Sequence, residues 1–300
     1  MTSVPASHTR PLDAAHMALT VLLCLAWGFN QPMVKLAILE GVPPLIQCAI
    51  RSGLGMLIVL GIMRWRGLPV LARDGTLTAG VVAGVLFGVE FLLIYRGLVY
   101  TTASRAVLFI YLAPFFVVLG ARWLFPGDRF GVMQWAGLLL AFAGMVVAFG
   151  VPAPASSPHQ LVGDLMMAGA AAAWAATTLV IKASSLARIS PEKTLLYQIV
   201  LCVPIVGAGA LVFGERITAM PSAVALGSLA YQTVVIGTTF SLWFALIVKF
   251  SASRLSAFTF LTPLFGVAAG HFLLGEPLTP AFALAVALVA GGLILVNRPK

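Results

Sequence analysis

The sequence consists largely of long apolar runs, each about twenty residues in length, that recur almost from end to end. A helix of that length spans the hydrocarbon of a bilayer and pairs its own backbone polar groups where no water can pair them. With 61% hydrophobic and 9% charged residues, the chain lacks the polar surface that a soluble domain needs. We therefore predict an all-α integral membrane protein with ten transmembrane helices. The expected spans are 14–38, 43–64, 76–99, 102–124, 131–150, 163–185, 191–213, 222–249, 252–274 and 279–297.

Basic residues in the connections between spans predict the topology. If the N-terminus is cytoplasmic, most of them fall on the cytoplasmic side, which is the bias expected of membrane proteins. Those residues are Arg10, Arg64, Arg66, Arg73, Arg122, Arg129, Arg188, Lys193, Lys249, Arg254, Arg298 and Lys300. The opposite side carries only Arg96, Arg105 and Arg216 in or near its connections. Both termini are therefore expected in the cytoplasm.

Other features narrow the class of protein. A net charge of +9 does not indicate nucleic acid, because the basic residues lie singly at helix ends and do not cluster with aromatic residues. Residues 1–17 are expected to be a polar tail that stays attached, since the apolar run after them is full length and has no cleavage pattern. Cys24, Cys48 and Cys202 lie in apolar spans and are expected to be core residues rather than metal ligands.

The two halves of the chain repeat each other. Trp27 and Lys35 match Trp174 and Lys182 at an offset of 147 residues. Further matches are Pro44 and Arg51 with Pro191 and Gln198 at the same offset, and residues 103–114 with 252–263 at an offset of 149. Correspondences in unbroken order predict two homologous halves.

Each half contains five spans, and an odd number places the second half in the membrane with the opposite orientation. The expected domains are an N-terminal repeat at 14–150 and a C-terminal repeat at 163–297. Inverted repeats are common in secondary transporters, where the halves exchange conformations to open each side in turn. Duplication that serves stability alone is the other interpretation, because duplicated bundles also occur in channels and intramembrane enzymes.

Motifs along the whole chain resemble the drug/metabolite transporter superfamily, specifically its ten-helix EamA-type branch. They are "LAWGFNQPMVK", "PPLIQCAIR", "GLVYTTASRAVLFIYLAPFF" and "KFSASRLSAFTFLTPLFGVAAGHFLLGEPLT". The chain departs from the pattern at Asp128, which replaces the Glu of the "GEPLT" turn at Glu276, and at the uncharged Gln198. The resemblance implies export of amino acids and related metabolites across the bacterial inner membrane. Chain length and aromatic-rich inner helices are similar to those of the aromatic amino-acid exporter type.

Glu90 is the acidic residue that lies deepest within a span. An ionised carboxylate there is costly, so it must be paired, face a wet cavity or be protonated. Three interpretations remain open at this point: a proton acceptor, a partner for a substrate ammonium group, or a structural group in a salt bridge with Arg51 or a hydrogen bond between helices. The equivalent position in the second half is Thr239, which cannot titrate.

Other basic residues within the spans are expected to be structural. Arg51 could attract a carboxylate, but we expect it to extend to the membrane interface or to cap backbone carbonyl groups. Lys35 and Lys182 come near the ends of their spans and are expected to be interface anchors.

Aromatic residues in mid-span predict the wall of a substrate site. Such rings suit an amphiphilic solute, whose apolar part stacks while its ammonium group meets a ring face or a carboxylate. The candidate substrate-binding residues are Trp27, Asn30, Glu90, Tyr95, Tyr111, Trp174, Thr177, Tyr231, Trp243 and Phe260. A buried Trp N–H needs a partner, which could be Asn30, Thr177, Thr178 or a ligand, and helix packing or lipid contact is the alternative role of the rings.

Two equivalent prolines and two equivalent glycines are candidate hinges. Pro114 and Pro263 each free a backbone carbonyl group within a span. Gly88 and Gly237 permit either bending or close helix approach.

The sequence predicts a transporter rather than an enzyme or an ATP-driven pump. It contains no phosphate-binding loop, no paired Asp and no metalloprotease motif, and no cofactor or metal is expected. We expect a monomeric secondary exporter of amino acids and related small metabolites, with the lipid bilayer and a small-molecule substrate as partners. The alternative is a uniporter or channel-like facilitator for other small amphiphilic metabolites or drugs.

Overall fold

A computed structural model describes residues 12–151 and 154–298 and shows an all-α protein over those ranges. Arg10, Lys300 and most of the N-terminal tail lie outside the described residues. The helices are α1 (Ala14–Leu39), α2 (Pro44–Trp65), α3 (Leu77–Tyr100), α4 (Ala103–Ile110), α5 (Ala113–Leu124), α6 (Val132–Phe149), α7 (Pro158–Ala183), α8 (Pro191–Val212), α9 (Ala223–Lys249), α10 (Ala252–Phe258), α11 (Leu261–Leu274) and α12 (Pro280–Asn297). Short 3₁₀ turns follow α5 at Pro126–Asp128 and α7 at Ser185–Arg188.

These elements form ten candidate membrane spans in the described part of the chain, as the sequence predicts. The largest difference in boundary is in the sixth span, which begins at Pro158 and not at 163. Ser157 caps this helix by accepting a hydrogen bond from the Gln160 N–H, and Pro158 occupies the first turn, where proline is favoured. The polar residues at 158–160 therefore begin the helix instead of forming a loop.

The fourth and ninth spans are each broken in the middle. The breaks lie at Tyr111–Leu112, between α4 and α5, and at Thr259–Phe260, between α10 and α11. Tighter hydrogen bonds replace the helical ones there, since the Leu112 N–H donates to the Phe109 carbonyl and the Phe260 N–H to that of Ala257, both at 3.2 Å. Each break ends two or three residues before one of the predicted hinge prolines, so the two halves depart from regular helix at nearly equivalent places.

Helix packing joins the two halves throughout. α3 packs on α7 and α8. In the other half, α9, the counterpart of α3, packs in the same way on α1 and α2, the counterparts of α7 and α8. Buried apolar side chains form one large cluster around α2, α3, α8 and α9 and another around α4–α6 and α10–α12. Large apolar side chains on the outer surface, such as Leu57, Leu139 and Leu165, suit contact with lipid.

α1 and α7 run in opposite directions. Lys249, at the end of α9, lies 3.2 Å from His16, near the start of α1. Lys182, near the end of α7, donates to carbonyl groups at this same end of α9. The start of α1 and the end of α7 are therefore at the same end of the bundle.

An ion pair fixes the connection between α2 and α3 to the start of α8. Lys193 donates to Asp74 at 2.7 Å, and the Thr76 hydroxyl donates to the same carboxylate at 2.5 Å. The Lys193 ammonium, helped by Thr76, lowers the pKa of Asp74 to about 2. Because this pKa is lower in the folded protein, the contribution to stability is present at neutral pH and is lost as the pH falls through about 2.

α6 and α12 cross at close range. Gly137 and Gly292 face each other so tightly that a Cβ on Gly292 would lie 2.5 Å from the Gly137 carbonyl oxygen and 2.7 Å from the Ala141 nitrogen. Small residues let helices approach in this way where lipid provides no hydrophobic driving force between them. Backbone atoms are the obstacle, so no side-chain rotation can relieve the contact.

We expect Gly292→Ala to lower the thermal unfolding temperature of the purified protein, since α6 and α12 would have to move apart at a cost of about 1–3 kcal/mol. Gly291→Ala is the matched control, because the nearest atom to its new Cβ would be Leu140 Cδ2 at an ordinary 3.6 Å. Scanning fluorimetry in detergent measures both variants. Equal unfolding temperatures would contradict the importance of this crossing.

Candidate functional site

A central cavity of about 520 Å³ lies among the helices of both halves. Its wall is formed mainly by α1, α3, α4, α7, α9 and α11, with single residues from α2, α6 and α8. Most of these side chains are apolar or aromatic, and the volume is in the range of small-molecule sites. The broken spans contribute to the wall next to their breaks, through Ile110, Tyr111, Thr262 and Pro263.

Most of the predicted site residues lie on the cavity wall. Those residues are Trp27, Asn30, Glu90, Tyr111, Trp174, Thr177 and Trp243. Tyr95, Tyr231 and Phe260 are outside the lining set. Tyr231 connects helices instead, because its hydroxyl donates to the Ala26 carbonyl at 3.0 Å. Phe260 is fully buried and packs behind Tyr111, with the ring centroids 6.1 Å apart.

The candidate hinges differ in their surroundings. Pro263 lines the cavity, and Pro114 follows the equivalent break. α3 and α9 continue without interruption through Gly88 and Gly237. Each glycine sits against a side chain of a neighbouring helix, Ile205 for Gly88 and Ile58 for Gly237, which fits the close-approach interpretation.

Trp27 is part of an aromatic cluster on one side of the cavity. Its ring lies 5.2 Å from that of Trp243 and 5.5 Å from that of Phe240. Its indole N–H donates to the Thr239 hydroxyl at 2.9 Å. The Trp27 donor is therefore satisfied from α9, and not by Asn30, Thr177 or Thr178.

Trp174 and Glu90 occupy the repeat-equivalent positions of Trp27 and Thr239. Their counterparts are bonded, but among the described residues neither the Trp174 indole N–H nor the Glu90 carboxylate has a hydrogen-bond partner. Both side chains line the cavity. Trp174 instead meets Tyr111 edge to face, with the ring centroids 6.1 Å apart.

The structural interpretation of Glu90 is not supported. No salt bridge to Arg51 and no hydrogen bond between helices involves it within the described ranges. The carboxylate and the guanidinium attract each other over a distance, without contact. Glu90 is thus a buried acidic group that faces the cavity.

Arg51 does not extend to the membrane interface, contrary to our expectation. Arg51 is 3% exposed, and its guanidinium carbon lies 4.5 Å from the ring centroid of Phe91 and 5.5 Å from that of Tyr95. One amino group contacts the Cys48 sulfur at 3.7 Å, and Nε has no partner in the described structure. Cation–π contacts contribute about 0.5–2 kcal/mol, less than the several kcal/mol that burial of an ion costs. Arg51 is also one of the residues that line the cavity.

The bundle is closed at the end where α7 and α9 finish. Lys182 donates to the carbonyl groups of Ile247, at 2.9 Å, and Phe250. Asp128 accepts hydrogen bonds from the Ser251 hydroxyl and, at 3.4 Å, from the Ser253 N–H. These contacts define the closed end. Lys182 is therefore a buried cap of α9, not the interface anchor that the sequence suggested.

The bundle is open at the other end, where the equivalent groups make different contacts. Lys35 corresponds to Lys182 and Glu276 to Asp128, yet here they form an ion pair with each other at 2.5 Å. Both line the mouth of the cavity with Leu98 and Ala103. These four residues define the open end, and Lys35 is a mouth residue, not a simple anchor.

Several lining residues were missed from the sequence. They are Phe87, Phe91, Gln198, Phe240, Phe244 and the ion pair of the open end. Gln198 had a usable signal, because it is a polar residue within an apolar span and matches Arg51 in the repeat. The phenylalanines had none, since only packing decides which face of a helix meets the cavity.

No group of three or more His, Cys, Asp or Glu side chains suited to a metal ion occurs in the part of the chain that the structure describes. The three cysteines are free and buried.

Comparison with known proteins identifies the family. The EamA-like transporter family matches residues 15–150 and again 161–298. The uncharacterized transporter YvbV of Bacillus subtilis (strain 168) is 28% identical, over 93% of this chain and 90% of its own. The probable amino-acid metabolite efflux pump of Escherichia coli (strain K12) is 24% identical, over 92% and 93%.

A protein of known crystal structure has the same fold, with a TM-score of 0.78 at 21% identity, over 93% of this chain and 96% of that one. The family model matches each half of the chain, and the ten spans and the central cavity are consistent with that match. The chain is a multi-pass membrane protein of the EamA-like transporter family, and thus a transporter rather than an enzyme.

Proposed function

We propose that the protein is a secondary exporter of amino acids, aromatic ones included, and of related small metabolites across the bacterial inner membrane. It works by alternating access between two inverted repeats, at 14–150 and 163–297, around the central cavity. A monomer suffices for this cycle, because one chain supplies both halves of the wall.

The difference between the two ends is the observation that carries this proposal. Equivalent residues make contacts that close one end and different contacts that leave the other open. Helix packing follows the same division: α5 packs on α10 and α7 on α9, whereas their counterparts α11 with α4 and α1 with α3 face the cavity. An alternating-access cycle requires a state in which the bundle of both repeats is closed at one end and open at the other.

The opposite state follows by exchanging the roles of the halves. In it, Glu276 accepts hydrogen bonds at the start of α4, from Thr102 and Ser104, as Asp128 does now at the start of α10. Lys35 then caps the carbonyl groups of Leu98 and Thr101 at the end of α3. The ion pair of the open end breaks to provide both groups.

The topology gives the exchange a direction. With both termini in the cytoplasm, α1 runs outwards and the open end, at Lys35, faces the exterior. The closed end, at Lys182, faces the cytoplasm. The structure then corresponds to the state that releases an exported substrate.

The cavity wall supports an amphiphilic substrate. Trp27, Trp174 and Tyr111 provide ring faces for an apolar side chain, while Glu90 provides an anion for an ammonium group. The Escherichia coli relative carries a name that refers to amino-acid metabolites. These two observations favour amino acids over other small amphiphilic molecules.

We expect purified protein in liposomes to transport labelled amino acids with saturation and counterflow, because each substrate must be carried through a change between the two states. An imposed pH gradient, added in a parallel experiment, tests whether protons are coupled. Transport that rises linearly with concentration and shows no counterflow would contradict a carrier and favour a channel-like facilitator. Empty liposomes are the control.

We expect Trp174→Ala to reduce kcat/KM for phenylalanine and tryptophan roughly 2- to 10-fold more than for alanine, because the lost ring contact matters only to a bulky substrate. Trp123→Ala is the matched control, since Trp123 is 84% exposed on the outer surface. An equal reduction for all substrates would mean that Trp174 serves helix packing only.

We expect Asp128→Asn to increase amide hydrogen exchange about 10-fold in the segment 250–254, because a charged acceptor at the start of α10 is lost. Glu276→Gln is the control and leaves exchange in that segment unchanged, since Glu276 pairs with Lys35 in this state. Unchanged protection in Asp128→Asn would contradict the assignment of Asp128 to the closed end.

A further inference from the structure

The central cavity contains two charged side chains that form no ion pair with any described residue. Its charged lining residues are Lys35, Arg51, Glu90 and Glu276. Lys35 and Glu276 neutralise each other at the mouth through their 2.5 Å ion pair. Arg51 and Glu90, deeper inside, take part in none of the ion pairs within the described residues.

The charge of Arg51 is not needed to hold the helices together. The equivalent residue in the second half is Gln198, which is also fully buried on the cavity wall. Its amide nitrogen donates to the Thr194 carbonyl at 3.3 Å, within its own helix. A neutral polar side chain therefore serves the same position of the repeat, so the guanidinium of Arg51 requires another explanation.

The surroundings of Arg51 satisfy it only in part. The faces of Phe91 and Tyr95 and the sulfur of Cys48 are weak partners for a guanidinium, and Nε has none in the described structure. Guanidinium groups bind carboxylates through paired hydrogen bonds, and no carboxylate in the described part of the chain forms an ion pair with Arg51. An anion that enters the cavity from the open end can supply such a partner.

We propose that Arg51 binds the α-carboxylate of a zwitterionic substrate while Glu90 binds its ammonium group. This inference rests on the proposed function and specifies its substrate class. One unpaired cation and one unpaired anion on the wall of one cavity complement a molecule with both charges, while the aromatic residues receive its side chain. Amines, amides and simple carboxylic acids each leave one of the two wall charges unmatched.

The competing explanation is that Arg51 and Glu90 merely neutralise each other across the cavity. Under that explanation, removal of either charge leaves discrimination between substrates unchanged. The two explanations therefore differ in substrate preference and not only in overall activity.

Binding of matched ligands to the full-length protein in nanodiscs tests the inference. The ligands are phenylalanine and leucine, their amides, which lack the carboxylate, and 3-phenylpropanoate and 4-methylpentanoate, which lack the ammonium group. We expect the wild type to bind each amino acid about 10- to 100-fold more tightly than either analogue. Arg51→Gln introduces the residue type of the equivalent position, Gln198. We expect this variant to lose the preference for the amino acid over its amide. Glu90→Gln loses the preference over the simple acid.

Affinity for the amide controls for folding, because Arg51→Gln should keep it while losing affinity for the amino acid. Arg51→Lys should retain part of the preference, since it keeps the charge but not the paired hydrogen bonds. If the wild type binds the amino acids and Arg51→Gln keeps their preference over the amides, the inference is wrong and the proposed function stands. If the wild type binds and transports no amino acid, the proposed function fails, and the inference with it.

Discussion

Within the bilayer, this chain has to pair its backbone N–H and C=O groups without the help of water. The chain meets this constraint with ten helical spans, and it departs from regular helix inside the membrane region at Tyr111–Leu112 and Thr259–Phe260. Both departures are closed by short turn hydrogen bonds, and both lie beside the cavity wall. Irregular backbone is tolerated there because protein and cavity surround it, not lipid. The same constraint explains why charged side chains cap helix ends, as Lys182 does for α9.

The charged residues at the two ends of the bundle have partners both where the bundle is closed and where it is open. At the closed end, Asp128 and Lys182 satisfy backbone groups at the junction of α9 and α10. At the open end, their counterparts Glu276 and Lys35 satisfy each other. In the proposed cycle each pair alternates between these two sets of partners. Neither state then contains an unmatched charge at the gates, so the energy difference between the states stays small.

The sequence predicted the spans well because length, apolar composition and the prolines at helix starts are local signals. It placed the start of the sixth span too late because the polar residues after Ser157 belong to a capped first turn.

The site was predicted less completely, since tertiary contacts decide it. The Trp27–Thr239 hydrogen bond joins residues 212 positions apart, and no local pattern indicates it. Depth within a span suggested that Arg51 reaches the interface, but the rings of Phe91 and Tyr95 hold it inside. Helix orientation likewise turned Tyr231 and Phe260 away from the cavity.

The hydrogen bond between Trp27 and Thr239, and its absence between Trp174 and Glu90, has a consequence for how such a protein evolves. Duplication gives a chain two copies of every position. Here one copy, Trp27 with Thr239, joins two helices, whereas the other, Trp174 with Glu90, does not. Mutations at this second copy can alter the range of molecules recognised without weakening the fold. Diversification among related chains should therefore concentrate on one half, and an engineer who wishes to redirect specificity should begin there.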